Sequence, residues 1–413
     1  MTDLIRTLTR PVGQRPATSA APPPRWERVD RARLQDGELC RAIRALMAET
    51  EEPNLFHDPV WLGGTDELGD HPSHPSEFYL CYDDGRLIGY APLIGGVKDL
   101  RFVVGELALH RVSWRSLTLV QDLVIAGGPE LRLGLTRQLL DLLAERLCPT
   151  DGIFLEGVPT DSALYRLTAL PGAMRDLLAI EIGHVFPHHR LKLAPSFAEF
   201  EAQLSASSRQ SQRRQLRKLL EYLGGDFDIR CFTGDSEVGQ FVVDARRVSQ
   251  KSYQWRLLGL GLRDPDSLSK TLTRAARHGW LRCYILYCRG EPAAFMLGYL
   301  YHGTYHYIDV GYDPAWGQWG VGSILQLQVI RDLIEGPEPA ALFDFSTGHG
   351  EHKARLANIS RSEANLLLVR NCARNAAIAA GYRLAMAVDR QGGRLLDTLG
   401  IKARVKHWLR RAA

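Results

Sequence analysis

The sequence predicts an α/β (α+β) fold in two similar halves, each a mixed twisted sheet flanked by helices. Three observations predict it. Strand-like runs closed by turn residues alternate with amphipathic helical stretches. The order hairpin, strand, helix, strand occurs once before residue 160 and again after residue 280. The hairpin turns echo each other, Tyr82-Asp-Asp-Gly-Arg86 against Tyr287-Cys-Arg-Gly-Glu291. Alternating hydrophobic patterns also produce such echoes by chance.

Residues 1–25 close on Ala20-Ala-Pro-Pro-Pro24 before Arg25 and cannot build a core, so a disordered tail is expected. The first half then spans 26–190. Leu39, Ile43 and Leu46 fall at helical spacing within 36–49. Phe78–Tyr82 and Leu87–Leu93 flank Asp83-Asp84-Gly85 as a hairpin. A strand near 116–125, a helix over 131–147 and a strand at 152–156 complete that half. The second half, 191–370, opens with helices over 205–222, 235–257 and 265–278. It continues with a hairpin of 283–287 and 292–299, a strand at 304–310, a helix over 323–335 and a strand at 341–345. Residues 371–413 read as a basic helical tail, broken at Gly392-Gly393 and near Gly400.

The 413 residues are 45% hydrophobic and 24% charged, an ordinary globular balance with core enough to need no metal or disulfide staple. The net charge of +4 is too small to imply nucleic acid, and no stacking motif supports one. The seven cysteines are scattered, with no CxxC pair, and read as reduced thiols. No secretory signal and no apolar run of membrane length is found, so a cytoplasmic chain is expected, with peripheral contact at the inner membrane through the basic tail.

The most informative stretch runs from Tyr305 to Leu325. A strand leads into a loop holding Gly317, Gly320 and Gly322, and the loop opens a helix. Free backbone N–H groups at Val321, Gly322 and Ser323 and the positive helix end suit a phosphate or pyrophosphate. No Gly-Lys-Ser/Thr follows, which excludes a Walker loop, and the spacing is wrong for a dinucleotide fingerprint. A glycine-rich turn without a ligand would read the same.

Strand, Gly-x-Gly loop, helix and strand together resemble the donor-binding core of the GNAT superfamily. The superfamily pattern, Arg or Gln followed by x-x-Gly-x-Gly, is met at Gly320 and Gly322, whereas Gly317 stands at the first place beside Gln318. The wider pattern resembles the CelD-type (cellulose-biosynthesis) acetyltransferase-like family and is similar to Fem-type aminoacyltransferases, which hold two GNAT-like domains in one chain. It is carried by Leu204-Ser-x-Ser207 opening a basic helix, Ser252-Tyr-Gln254, the Gly322 loop, and Asp344-Phe-x-x-Gly348 followed by Lys353. The resemblance implies two GNAT-like halves and acyl-CoA, most simply acetyl-CoA, as co-substrate without a metal. It places the pyrophosphate at Gly320, Val321, Gly322 and Ser323. It also implies that the strand 304–310 offers backbone N–H groups, that of Val310 included, to the acyl carbonyl, and that Lys353 and Tyr253 lie at the reaction centre.

Asp309, polar on a strand expected to be buried, suits a base acting directly or through water, and equally a structural carboxylate. Tyr305 and Tyr307 share its face, and His306 takes the other. Arg209, Arg213 and Arg217 recur at i, i+4, i+8 and are expected to face the cleft between the halves. There they would hold an anionic acceptor, with Asp344 beside it and Tyr253 and Trp255 packing on its sugar or apolar surface. In the first half, Pro129 and Glu130 stand where a phosphate loop needs free N–H groups, so no donor is expected there. The reading reached is an N-acyltransferase acting on an amino sugar or cell-envelope or exopolysaccharide precursor, free or lipid-linked. An aminoacyl-tRNA-dependent transferase and a non-catalytic scaffold in polysaccharide assembly are the alternatives.

Overall fold

The structure is a computed structural model that describes residues 23–50, 54–63, 75–105, 107–170, 174–251, 261–262, 264–346 and 351–398. Expectations for most of the N-terminal tail, for Tyr253 and Trp255 and for residues 399–413 lie outside them. Among the described residues no helix is long and apolar enough to cross a membrane.

The strands of the first half are β1 (Arg25–Val29), β2 (Glu77–Asp83), β3 (Arg86–Val104), β4 (Leu107–Val120), β5 (Val124–Ile125), β6 (Asp151–Pro159) and β7 (Leu177–Lys192). Its helices are α1 (Gly37–Glu49), α2 (Pro59–Gly63), α3 (Pro129–Arg146) and α4 (Ala163–Ala169). The second half contributes α5 (Phe197–Gln203), α6 (Ala206–Leu223), β8 (Phe227–Phe232), α7 (Val238–Lys251), α8 (Pro265–Arg277), β9 (Cys283–Cys288), β10 (Glu291–Tyr301) and β11 (Thr304–Tyr312). It ends with α9 (Val321–Glu335), β12 (Leu342–Asp344), α10 (Glu351–Leu356), β13 (Ile359–Arg370) and α11 (Ala373–Thr398).

Local chemistry sets these boundaries. The Asp36 carboxylate accepts from the N–H groups of Glu38 and Leu39 and starts α1, which buries Leu39, Ile43 and Leu46. Ser205 caps α6 by accepting from Ser208 N–H, and Gly224, at φ 62°, ends it. In β10, Gly298 leaves room for the ring of Tyr305: a Cβ there would meet its hydroxyl oxygen at 2.3 Å. One expected break is absent, because α11 runs helically through Gly392-Gly393. Two glycines lower helix propensity by about 1 kcal/mol each, which a helix packed on the sheet can carry.

The halves share one sheet, in the order β1-β2-β3-β4-β6-β13-β7-β12-β11-β10-β9-β8, with β5 paired to β3. Its centre is an exchange: β13, from the second half, pairs with β6 of the first, while β7, from the first, pairs with β12 of the second. The two exchanged strands also pair with each other from Ile359↔Arg190 to Arg370↔Leu177. The boundary expected at 190–191 therefore falls inside the strand that ties the halves together.

Packing repeats that coupling. On one face, α1 and α2 share a core with α7 and α8: Ile43, Trp61, Phe241, Val248, Phe295 and Tyr299 belong to one buried cluster. Trp61 meets Tyr299 edge-on at 5.0 Å. Asp58 is held by Arg44 Nε at 2.8 Å and accepts from the Tyr301 hydroxyl at 2.7 Å. On the other face α5, α6 and α9 cover β9–β12, and α3 and α4 cover β2–β6. Each large apolar side chain so buried stabilises the fold by roughly 1.5–3 kcal/mol.

Candidate active site

The chemistry gathers where β11 parts from β12. These parallel strands pair only at Thr304↔Leu342, Tyr305↔Phe343 and His306↔Asp344. Beyond His306, β11 continues to Tyr312, hydrogen-bonded on its far side to β10. Among the described residues no strand pairs with its near edge there, so a chain of amide groups could add beside it as an extra strand would.

The glycine loop lies at the end of that edge. Residues 314–319 form a 3₁₀ turn capped by Asp313, and Gly320, at φ 67°, begins α9. Having no side chain, Gly320 leaves the N–H groups of Val321, Gly322 and Ser323 without a side-chain cap. A Cβ on Gly320 would press on the Gln215 carboxamide at 3.1 Å, whereas one on Gly322 would meet only Tyr312 at 3.5 Å. Trp319 stacks on Tyr222 at 4.4 Å and fixes the loop against α6. The loop and the open strand edge fit a pyrophosphate with an extended amide-bearing arm.

Alternation divides β11 between two faces. Tyr305 and Tyr307 enter the core beneath α9. A bulge at Ile308 then shifts the register, so Val310, opposite Met296, takes their face. Asp309, opposite Leu297, turns to the other face with His306, against the shared face expected for Asp309, Tyr305 and Tyr307. The half-buried Asp309 carboxylate accepts from Val310 N–H at 2.8 Å, and burial raises its pKa despite that bond. Lys353 reaches the Tyr307 side from α10, with Nζ 5.6 Å from the centre of the Tyr307 ring. It is 9% exposed; burial lowers its pKa, opposed by the charge of Asp344. Asp309 therefore meets Val310 through the backbone of its own strand, and Lys353 meets Tyr307.

The opposite face carries groups the sequence reading passed over. His188 on β7 bridges two buried carboxylates, with Nε2 2.6 Å from Asp344 and Nδ1 2.8 Å from Glu363 on β13. Burial works against a charged ring, but the two carboxylates overcome it and raise its pKa to about 9. Asp344 also takes Arg190 Nε at 3.3 Å and accepts from Ser346 N–H at 2.7 Å. Burial alone would raise its pKa; His188, with the nearby positive charges, holds it well below the usual carboxylate range. Expected to touch substrate, Asp344 has both oxygens occupied by the protein. A cavity of ≈ 250 Å³ opens beside this cluster, at the parting of the strands. His188, His306, Ile308, Asp344 and Ser346 line one wall, and Phe56, Val120, Gln121, Glu156 and Gly157 of the first half line the other. The signal that could have found this wall is the histidine run at His184, His188 and His189.

The arginine expectation is corrected. The side of α6 turned toward α9 carries Gln212, Gln215 and Leu216, and its buried residues are Leu219 and Leu223. Arg209 caps the end of α5, donating to the carbonyls of Glu201, Ala202 and Leu204. Arg213 pairs with Glu201 at 3.0 Å, its side chain 69% exposed, and Arg217 with Glu221 at 3.7 Å, 71% exposed. Helical periodicity puts the three arginines on a common face, but apolar Leu219 and Leu223 decide which side turns inward.

Residues 206–354, which hold α6, β11, the glycine loop and Lys353, match the family described as acetyltransferase (GNAT) domain. The chain carries a GNAT-type acetyltransferase domain. Its enzyme class is accordingly acyltransferase. No curated protein matches the chain. Among solved structures, one titled FemX is 10% identical, covers 83% of this chain and 96% of its own, and superposes with a TM-score of 0.54. A conserved protein of unknown function from Bacteroides thetaiotaomicron is 13% identical over 83% of this chain and 99% of its own, with a TM-score of 0.50. A tandem GNAT protein from the clavulanic acid biosynthesis pathway is 14% identical over 84% and 98%, with a TM-score of 0.46. At such identities the first two likenesses concern the fold.

Proposed function

We propose that the chain transfers an acyl group from acyl-CoA, acetyl-CoA in the simplest case, to a primary amine of an amino sugar or related cell-envelope or exopolysaccharide precursor. The observation that carries this reading is the opening between β11 and β12 beside the uncapped start of α9. The N–H groups of Val321, Gly322 and Ser323 would hold the pyrophosphate, with the helix end favouring its charge. The pantetheine arm would run along the free edge of β11, bringing the thioester to the parting of the strands. Displacing Asp309 would free Val310 N–H for the acyl carbonyl, where a preorganised donor stabilises developing negative charge. Lys353, partly desolvated and beside the Tyr307 ring, could add to it.

Titration of the full chain with CoA and acetyl-CoA, read by calorimetry and thermal shift, tests the donor. Saturable binding that Gly322→Asp abolishes supports the reading. Equal binding to that variant removes the loop from the donor site.

A further inference from the structure

The cavity on the far side of β11 is built for a ligand, and its chemistry differs from the anionic site expected on α6. His306 is 7% exposed, and its Nε2 is buried with no hydrogen-bond partner among the described residues. An imidazole nitrogen left unpaired in a protein interior costs about 1–3 kcal/mol, which a ligand hydrogen bond would recover. The ring is fixed by edge contact with Phe56 at 5.9 Å. Burial, opposed by Asp344, pushes its pKa down to about 4, so it is neutral at pH 7 and able to accept a proton. Its charged surroundings are Asp344 on β12, His188 and Arg190 on β7, and Glu156 across the cavity on β6. Beyond Phe56, His57 is neutral against the Val120 carbonyl, and Asp58 is paired to Arg44.

The lining carries two carboxylates, Glu156 and Asp344, and one imidazolium, His188; behind the wall Arg190 pairs with Asp344, and Lys98 is near enough to Glu156 to feel its charge. Asp344 is occupied by His188 and Arg190, which leaves Glu156, half-buried on the wall of the first half, to meet a ligand. The cavity also holds the last paired residues of the two strands, His306 and Asp344, and the residues two places beyond them, Ile308 and Ser346. It therefore abuts the point to which the thioester is brought.

We propose that this cavity is the acceptor site, that it takes a small cationic primary amine drawn in by Glu156, and that His306 is the catalytic residue receiving the proton released as the amide forms. This rests on the acyl-CoA reading above. The bound ammonium first gives one proton to solvent; the freed amine nitrogen then bonds to the acyl carbonyl carbon, the C–S bond breaks, and the sulfur leaves as thiolate. The surplus N–H proton passes to the imidazole and from it to the thiolate or to solvent. Nitrogen becomes acidic once its lone pair is committed to the new bond, so a weak base suffices at that stage.

Release of CoA thiol from acetyl-CoA by the full chain, with D-glucosamine and with L-lysine as separate acceptors, tests this and distinguishes a sugar amine from an amino-acid amine. CoA-induced thermal shift is followed in parallel. His306→Ala should lower kcat about 100-fold or more, with the CoA shift retained and part of the rate restored by added imidazole. Glu156→Gln should raise the amine's KM about tenfold. His306→Asn, which stays polar and leaves room for free imidazole, repeats the measurement should the alanine variant lose its fold. The proposal is overturned by a wild-type rate in the His306 variants, by a loss that imidazole does not touch, or by a chain that binds CoA yet acylates neither amine. A chain that does not bind CoA at all refutes the donor reading first, and the two failures are told apart by the thermal shift.

Discussion

In the first half β4 leads through α3 to β6; in the second, β11 leads through α9 to β12. Both crossovers join parallel strands, and they end differently. β4 and β6 stay paired from Arg115↔Asp151 to Val120↔Glu156, and Gln121 N–H then closes on the Glu156 carbonyl at 2.6 Å. β11 and β12 part after His306↔Asp344. The helix starts differ as well: α3 begins with Pro129, which has no N–H, followed by Glu130, while α9 begins with Val321-Gly322-Ser323 and no acid in its first turn. In the first half the crossover strands stay paired to their ends; in the second, among the described residues, the edge of β11 beyond His306 has no strand partner toward β12 and the start of α9 has no side-chain cap. What the closed half supplies is a wall: Val120, Gln121, Glu156 and Gly157, at the closed end of its crossover, face the opening of the other.

The largest effect is expected where the halves are joined. His188→Gln removes the cation between two buried carboxylates, which should cost about 3–5 kcal/mol. Because β7 and β13 are exchanged, urea unfolding should stay one transition moved to lower denaturant; two separate transitions would show that the halves fold independently. The same cluster sets a pH dependence. His188 has a folded pKa of about 9 against an ordinary 6.5, so its contribution is complete below about pH 6.5 and is lost as pH rises through about 9. Wild type should lose stability over that window and His188→Gln should not, as followed by Tm against pH.

Next in size is the donor loop. At a CoA concentration of about 100 Kd, wild type should gain about 2.7 kcal/mol. Gly322→Asp should lose that gain while its ligand-free stability stays level or rises slightly, since an acid in the first helical turn is favourable by about 0.3–1 kcal/mol. The smallest effect belongs to the exposed arginines. Arg213→Ala breaks a solvent-exposed pair worth about 0–1 kcal/mol and should leave the amine's KM unchanged, in kinetics with either acceptor. A marked rise in KM would return α6 to the acceptor site.

The crossovers themselves were legible because their signals are local: turn residues at Asp83-Asp84-Gly85 and Arg289-Gly290, alternation on β9–β11, and glycines before α9. The exchange of β7 and β13 was not. Strand partners separated by about half the chain leave no mark in a window of neighbours, and Pro187 and three histidines obscure the alternation of β7. For the same reason Asp309 and Lys353 could be expected near the donor, being near the loop in sequence or carried by a family pattern. The pairing of His188 with Asp344 and Glu363 spans 156 and 175 residues. The arginine face failed for a different reason: periodicity says which residues lie together, and only packing says which way they point.

The central claim is that the open crossover, and not the closed one, receives the acyl donor. It is tested most directly by calorimetry with CoA on three proteins: wild type, Gly322→Asp at the start of α9, and Gly128→Asp at the start of α3, where a Cβ meets nothing within 4 Å. One CoA per chain is predicted for wild type and for Gly128→Asp with equal affinity, and none for Gly322→Asp. Binding that survives in Gly322→Asp and disappears in Gly128→Asp would contradict it.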